Sequence, residues 1–240
     1  MRVSDSPRGI AFDYGHTLVR LRRPVAALER AGADLAGLLR PGGWSGDAAA
    51  LGPALDTEVD RLADQAHLEE PEVEVDASAI YRQALRALLG AEPSDELVRR
   101  ALLGTQRAWV EGVLPDPTAL PVLAQLQHRG LRLGLCSNAL YPPDLMREQL
   151  ARLGLAGYFH ATLFTSEIGW RKPAARVFQE LLARLELPAD QVWFVGDDWE
   201  ADIVGSRRSG MRALVAPGGC SRDPAVPVLG GWPDLLQMIG

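Results

Sequence analysis

Lysine is almost missing from this chain of 240 residues. Of its 25 basic side chains, only Lys172 is a lysine, and the other 24 are arginines. Arginine presents a planar fork of donors, whereas lysine carries a compact point charge on a slim stem. Two interpretations of Lys172 follow: it marks a place where arginine does not serve, or it is a lysine that was kept by accident. We single out Lys172 as a candidate functional residue.

Cysteine and long apolar runs are also scarce. Cys136 and Cys220 lie far apart, which does not indicate a disulfide framework and is typical of a protein with reduced thiols. No run of about twenty apolar residues is present to span a bilayer. The first residues, MRVSDSPRGIAFD, lack the apolar core of a signal peptide. We expect a cytoplasmic protein.

Positive charge is not concentrated anywhere in the sequence. The formal net charge is -6, and no basic block offers the attraction that nucleic acids and anionic membranes require. We therefore expect neither as a partner, and an anionic substrate must be held by a local positive site. The composition, 47% hydrophobic and 23% charged, is that of an ordinary globular protein.

Two hydrophobic patterns divide the chain. From about Arg22 to Gly112, apolar residues recur at helical spacing and predict about four amphipathic helices with no strand between them. After Pro115, short apolar runs alternate with helical segments, which is typical of parallel βαβ units. Strands are predicted at 9–12, 131–135, 161–164, 192–195 and 212–215, and core helices at about 117–129, 143–153, 174–186 and 200–209.

These patterns predict an α/β protein with a doubly wound parallel sheet. The predicted core consists of residues 1–20 and 114–240, and residues 21–113 form a helical insertion. In open α/β sheets, ligands bind beyond the carboxyl ends of the strands. Polar and acidic side chains from separate parts of the sequence meet there. They are Asp13, Ser137, Asn138, Ser166, Asp197 and Asp198.

Four sequence motifs resemble those of the haloacid dehalogenase (HAD) superfamily. Phe12-Asp13-Tyr14-Gly15-His16-Thr17-Leu18 resembles the first, an apolar strand followed by D-x-D-x-T. Leu135-Cys136-Ser137-Asn138 resembles the second, and Gly169-Trp170-Arg171-Lys172-Pro173 is similar to the third. The segment from Gly196-Asp197 to Asp202 resembles the fourth, G-D-x-x-x-x-D. The resemblance implies a Rossmann-like HAD core, with the insertion as the family's helical cap.

The resemblance also implies a magnesium-dependent phosphatase that acts on small phosphorylated metabolites. A carboxylate such as Asp13 can attack phosphorus and hold it as an aspartyl-phosphate. The carboxylate and the phosphate are both anionic, so a cation must screen their repulsion. Mg²⁺ suits such a site because it prefers oxygen ligands. By the resemblance, the direct ligands are Asp13, Asp197 and the backbone carbonyl of Gly15. Asp202 is expected to ligate the ion or orient its waters, and Asp198 receives no role.

Phosphate binding is assigned by the same resemblance. Ser137 and the backbone N–H of Asn138 are expected to hold the transferring phosphoryl oxygens. Lys172 is expected to neutralise the charge that phosphate and nucleophile share. Such roles suit phosphoryl transfer, in which positioning and electrostatics provide most of the catalysis.

Gly15 departs from the family pattern, which commonly has an aspartate there as general acid and base. Losing such help typically costs about a hundred- to ten-thousand-fold in rate. Easy leaving groups, such as acyl phosphates, depend on it less. His16 is a candidate substitute, because histidine is the side chain that commonly transfers protons near neutral pH, and the alternative is a loop residue that points away. Full turnover and an unchanged pH–rate profile in His16→Ala would contradict the substitute role.

Two other functions stay open. A 2-haloacid dehalogenase also uses an aspartate nucleophile with a non-acidic residue two positions on. It needs no metal, however, and the acidic segment from Gly196 to Asp202 argues against it. A weakly catalytic binding or regulatory protein could keep the phosphate pocket. A phosphonatase is disfavoured because the insertion contains no lysine, and a phosphomutase because Gly15 removes the second aspartate.

Overall fold

The computed structural model describes residues 6–239, so that residues 1–5 and 240 of the predicted core lie outside the described residues. In this range the strands are β1 (Gly9–Phe12), β2 (Val19–Leu21), β3 (Val113–Pro115), β4 (Arg132–Ser137), β5 (Ala161–Phe164), β6 (Val192–Gly196) and β7 (Arg212–Val215). Five of them form a parallel sheet in the order β5-β4-β1-β6-β7. The predicted doubly wound α/β fold is confirmed.

The helices alternate with these strands or fill the insertion. They are α1 (Val25–Leu39), α2 (Ala48–Glu69), α3 (Ala77–Leu89), α4 (Asp95–Trp109), α5 (Leu120–His128), α6 (Pro143–Arg152), α7 (Ala175–Leu185), α8 (Gly205–Arg208) and α9 (Trp232–Ile239). The first four form the helical segment 25–109, as the apolar spacing predicts. Every helix of residues 6–239 is too short or too polar to cross a membrane.

The central strand β1 is buried on both faces of the sheet. Because side chains alternate along a strand, Ile10 and Phe12 pack on one face with residues of α5, α6 and α9. Ala11 points to the opposite face, where it packs with residues of α7. This double burial makes the strand a rigid support for the residue that follows it, Asp13.

The helical segment 25–109 has its own apolar cluster, in which Leu55 and Tyr81 are fully buried. Helices α1 and α2 cross at Gly32 and Gly52. A Cβ added to Gly32 would lie 2.3 Å from the backbone nitrogen of Gly52. The two glycines therefore allow the backbones to approach more closely than any side chain permits. The N-terminus of α4 is capped by Ser94, whose side chain accepts a hydrogen bond from a first-turn N–H.

A two-stranded antiparallel ribbon, β2 with β3, joins the helical segment to the core and was not predicted. Leu21 pairs with Val113, and Val19 pairs with Pro115. Strands of three residues are too short to produce a periodic apolar pattern. The predicted division at residues 20/21 and 113/114 falls inside this ribbon. That domain division stays a prediction.

Two predicted helices near the sheet differ in detail. The helix expected at 117–129 begins at Leu120, because Asp116 accepts a hydrogen bond from the Thr118 N–H and forms a turn first. The helix expected at 200–209 is a π-helical turn, Trp199–Val204, followed by the short α8. Helix α9 was not predicted, and its Trp232 lies 6.0 Å from the ring of Phe12.

Candidate active site

Three adjacent strands end together at one edge of the sheet. In the parallel register, Phe12 of β1 is aligned with Leu135 of β4 and with Val195 of β6. The chain then leaves these strands through Asp13, Ser137 and Asp197. The backbone N–H of Asp13 still bonds the carbonyl of Val195, at 2.9 Å, so the position of Asp13 is set by the sheet.

Lys172 lies at the centre of this edge and is almost completely buried. Its Nζ donates to Asp13 Oδ1 at 2.6 Å, to Asp202 Oδ1 at 2.6 Å and to the Cys136 carbonyl at 3.1 Å. Burial lowers the pKa of Lys172, but the charges of Asp13 and Asp202 outweigh burial and hold the pKa above its ordinary value. The lysine is therefore a permanent cation here.

The geometry explains why this position uses lysine. Three acceptors surround one nitrogen, and an ammonium has three rotatable hydrogens for them. A guanidinium spreads its donors over a planar fork and cannot direct three of them from one atom. The choice of lysine over arginine at residue 172 therefore has a physical cause.

Asn138 holds the backbone of Lys172. Its side-chain Oδ1 accepts from the Lys172 N–H at 2.8 Å, and its Nδ2 donates to the Lys172 carbonyl at 3.2 Å. A side-chain amide offers a donor and an acceptor side by side, which matches the N–H and the carbonyl of one residue. Asn138 is the only asparagine in the chain, a signal that could have identified this contact. The predicted role of its backbone N–H toward phosphate stays a prediction.

Asp202 reaches the site because a π-helical turn follows β6. Its Oδ2 accepts from the Asp198 N–H at 3.1 Å, and its carboxylate is buried. A Cβ added to Gly196 would lie 2.3 Å from Asp202 Oδ2, so the carboxylate needs the glycine's empty space. The side chain of Asp198 instead caps the turn by accepting from the Ala201 N–H.

Asp197 is positioned by Thr17, whose hydroxyl donates to Asp197 Oδ1 at 2.9 Å. No role was predicted for Thr17, although it belongs to the first motif. Burial and the charge of Asp13 raise the pKa of Asp197. Burial raises the pKa of Asp202 as well, against the opposing charge of Lys172. The site thus holds more negative charge than its one lysine offsets.

This carboxylate cluster fits a divalent cation. Ligand oxygens of Asp13, Asp197 and Asp202 all lie within 4.8 Å of one another. Lys172 donates to Oδ1 of Asp13. No residue in the range 6–239 donates a hydrogen bond to Oδ2 of Asp13, so this oxygen can serve as a metal ligand. An all-oxygen donor set with excess negative charge is the kind that Mg²⁺ prefers.

The other predicted site residues line a cleft of about 480 Å³ above this cluster. Ser137 is buried in its floor. His16 is exposed on its wall, in the left-handed backbone region with φ 57°. Gly15 lies beside it, where an added Cβ would meet only Leu21 Cδ1, at 3.5 Å. The proton-transfer role of His16 stays a prediction.

Glu74 connects the helical segment to the core and was not predicted. Its buried carboxylate contacts His67 Nε2 at 3.1 Å and accepts a short hydrogen bond from the Thr165 hydroxyl. Thr165 follows β5 and in turn accepts from the Ala139 N–H at 2.8 Å. The backbone N–H of Arg171 also bonds the Glu72 carbonyl at 2.9 Å. The insertion thus supports both loops that hold Lys172.

Replacing Lys172 by methionine is expected to lower the free energy of unfolding by about 3 kcal/mol, because it leaves Asp13 and Asp202 buried without their cation. Urea unfolding at pH 7 measures the change. Arg208→Met is the control, since Arg208 is exposed, and its effect is expected within about 0.5 kcal/mol. Equal stability of the two variants would contradict the role of Lys172 as the counter-charge.

Glu74→Gln is expected to lower the free energy of unfolding by about 2 kcal/mol at pH 7, because hydrogen bonds to a buried carboxylate are lost. Burial acts to raise the pKa of Glu74, but hydrogen bonds from His67 and Thr165 and the charge of Arg171 outweigh it and lower the pKa below 4.5. A depressed pKa stabilises the fold above the unfolded value, and this stabilisation disappears as pH falls through the folded value.

The stability difference between wild type and Glu74→Gln should therefore shrink below about pH 4.5. Urea unfolding at pH 7 and at pH 4 checks this. Glu72→Gln makes the same change on an exposed side chain two residues away and is expected to have little effect at either pH. A gap that widens toward acid pH would show that Glu74 does not stabilise the fold as a carboxylate.

Curated relatives match about half of the chain. One is the glyceraldehyde 3-phosphate phosphatase of Methanopyrus kandleri, 33% identical over 123 residues, which cover 51% of this chain and 52% of that protein. Another is the phosphoserine phosphatase of Thermus thermophilus, 33% identical over 135 residues, or 56% of this chain and 52% of that protein. The chain thus spans about half the length of these curated relatives.

Solved structures match over almost the whole chain. A 2-haloacid dehalogenase from Pseudomonas syringae pv. Tomato has a TM-score of 0.70 at 24% identity, with 97% of this chain and 98% of that chain covered. A HAD phosphatase from Thermococcus onnurineus has a TM-score of 0.63 at 19% identity, with 97% and 98% covered. At such identities the likeness concerns the fold. The family model described as haloacid dehalogenase-like hydrolase matches residues 7–210, and the chain therefore belongs to this hydrolase family.

Proposed function

We propose that this chain is a magnesium-dependent phosphatase of small phosphorylated metabolites. The observation that carries the proposal is the buried contact of one lysine with two carboxylates, beside a third carboxylate at the same sheet edge. A cation and a divalent-metal donor set at one nucleophile suit the transfer of a doubly charged phosphoryl group. Several of the curated relatives are named as phosphatases, which supports the same class.

In the proposed reaction, a carboxylate oxygen of Asp13 attacks phosphorus and the bond to the leaving oxygen breaks. The leaving oxygen takes up a proton from His16 or from solvent, and the phosphoryl group stays on Asp13 as an acyl phosphate. Water then attacks the same phosphorus, which releases inorganic phosphate and restores Asp13. Lys172 holds Asp13 in position from its buried side, and Ser137 lies in the cleft floor to receive a phosphoryl oxygen.

The residues proposed to hold Mg²⁺ are Asp13, Asp197 and the carbonyl of Gly15. Asp202 is proposed to orient the waters around the ion or to ligate it as a further carboxylate. Its two oxygens already accept hydrogen bonds from Lys172 and from the Asp198 N–H. When bound, the ion supplies positive charge that screens the nucleophile from the anionic phosphate. Thr17 keeps Asp197 oriented for this role.

We also propose that residues 21–113 act as a cap over residues 1–20 and 114–240. The cleft is lined by core loops on one side and by residues such as Gln106 and Trp109 of α4 on the other. A site closed by such a segment excludes water during transfer. The expected location is the cytoplasm, with small metabolites as partners.

The experiment that tests the function is hydrolysis of acetyl phosphate and p-nitrophenyl phosphate, with magnesium or with EDTA. Turnover with magnesium that stops in EDTA is expected. Thermal unfolding in the same buffers gives a second readout, since a ligand that binds the folded state raises the melting temperature. No turnover on either compound would overturn the proposal.

Two rivals have distinct results in the same series. Chloride release from chloroacetate without metal would indicate a dehalogenase. Tight binding of a phosphate analogue, without turnover across a broad panel, would indicate a binding or regulatory protein. Asp197 favours the phosphatase over the first rival, because it adds a third carboxylate to the cluster that is not paired with Lys172 and that a metal-independent reaction does not need.

A further inference from the structure

The cleft contains two polar groups that the proposed phosphoryl transfer does not use. Among residues 6–239, three buried side-chain polar atoms have no hydrogen-bond partner, and two of them belong to cleft residues. They are Nη1 of Arg171 and Oε1 of Gln106. A buried polar atom without a partner typically costs about 1–3 kcal/mol. Both atoms belong to residues that line the same cleft, where a bound ligand would supply the missing partners.

Arg171 is a cationic residue whose backbone is held in place by hydrogen bonds. Its backbone N–H bonds the Glu72 carbonyl at 2.9 Å, and the next residue, Lys172, is held by Asn138. Its guanidinium has no carboxylate within ion-pair distance among residues 6–239, although Glu74 acts on it electrostatically. Burial lowers the pKa of Arg171, yet an arginine stays charged at neutral pH.

We infer that the substrate's organic part carries a second anionic group, a carboxylate or a second phosphate, which Arg171 binds. The guanidinium fork is suited to either group, since both present two oxygens in a plane. This inference rests on the proposed phosphatase function. Arg171 would thus determine specificity, whereas Lys172 beside it serves the reacting phosphate.

Gln106 adds a second feature of the same substrate. Its side chain is buried, and its Nε2 donates to Met146 Sδ at 3.3 Å, which leaves Oε1 as the acceptor without a donor. A hydroxyl or amino group on the organic part supplies that donor. The substrate class is therefore a small phosphomonoester with a second anion and a neighbouring hydroxyl or amine.

The test measures competition against acetyl phosphate hydrolysis, because a competitor reports its binding whether or not it is hydrolysed. Ethyl phosphate, which has no second anion, is compared with 2-phosphoglycolate and with ethane-1,2-diol bisphosphate. In wild type, one or both of the latter are expected to bind about ten- to a hundred-fold more tightly than ethyl phosphate. Whichever of the two compounds binds more tightly relative to ethyl phosphate shows whether the second anionic group is a carboxylate or a phosphate.

Arg171→Met is expected to bring that ratio close to one, and Arg171→Lys to keep part of it. Arg176→Met is the matched control, because Arg176 is an exposed arginine that stacks 4.4 Å from the Trp170 ring. Its ratio should equal that of wild type. A wild-type ratio near one, or a ratio that Arg171→Met leaves unchanged, would overturn the inference. Absence of acetyl phosphate hydrolysis would instead overturn the proposed function.

Gln106→Met is tested with 3-phosphoglycerate and 3-(phosphonooxy)propionate, the phosphate ester of 3-hydroxypropionate, which differ by one hydroxyl. Wild type is expected to prefer the compound with the hydroxyl by about three- to tenfold, and the variant to lose that preference. Both compounds carry the same carboxylate, so the comparison isolates the Gln106 contact from that of Arg171. An unchanged preference in the variant would remove Gln106 from the assignment.

Discussion

Asp13→Asn is expected to reduce acetyl phosphate hydrolysis by about 10⁴- to 10⁶-fold, because the variant loses the atom that forms the covalent intermediate. The fold is expected to persist, since asparagine keeps a carbonyl oxygen for the Nζ of Lys172, now 2.6 Å from Asp13 Oδ1. Initial rates with saturating magnesium measure the loss. Circular dichroism of the same samples shows that the protein is folded.

A covalent intermediate gives a second measurement on the same variant. Wild-type protein is acid-quenched during turnover of acetyl phosphate labelled at phosphorus. It should carry label that hydroxylamine removes, because hydroxylamine cleaves acyl phosphates, and Asp13→Asn should carry none. Asp190→Asn is the matched control, because Asp190 is exposed before the amino end of β6, at the opposite edge of the sheet. Turnover by Asp13→Asn within tenfold of wild type would exclude Asp13 as the nucleophile.

Gly15→Asp is expected to raise the hydrolysis of ethyl phosphate by about a hundred- to ten-thousand-fold, because it adds a general acid for a poor leaving group. The structure leaves room for it. The backbone of Gly15 is not in the left-handed region, and an added Cβ would meet only Leu21 Cδ1, at ordinary contact distance. Acetyl phosphate, whose leaving group needs little protonation, should gain much less.

The control for this variant is Gly15→Asn, which has the same size and cannot transfer a proton. An equal gain in both variants would show that the added side chain acts by packing or polarity. No gain on ethyl phosphate in Gly15→Asp would indicate that proton transfer is already supplied. In that case His16→Ala should slow wild type on ethyl phosphate, since His16 lines the same cleft.

Much of the fold was predictable because its signals are local. Strand β1 and strand β6 are buried apolar runs, and α1 to α4 have apolar residues at helical spacing. The carboxyl ends of parallel strands meet by geometry, so Asp13, Ser137 and Asp197 were predicted to converge before any contact was known. The ribbon β2–β3 was missed because three-residue strands carry no period.

The candidate site was predictable in its residue types and less so in its contacts. The scarcity of lysine pointed to Lys172, but its three acceptors come from three separate parts of the chain. Asn138 was expected to offer its backbone, whereas its side chain holds Lys172. Nothing in the sequence distinguishes Glu74 from the other glutamates. Its side chain becomes buried only through the packing of α2, α3 and β5 around it.

The sequence alone determined which elements form, since apolar periodicity and turn residues act within a few positions of one another. It also predicted several carboxylates at the carboxyl edge of the sheet, and the resemblance of its third motif placed Lys172 with them. Only the tertiary structure decided how those charges pair, that Thr17 orients Asp197, and that Arg171 and Gln106 keep buried polar atoms without partners. These contacts join residues that are far apart along the chain, and hydrogen bonding over a few ångströms depends on packing that no local pattern encodes.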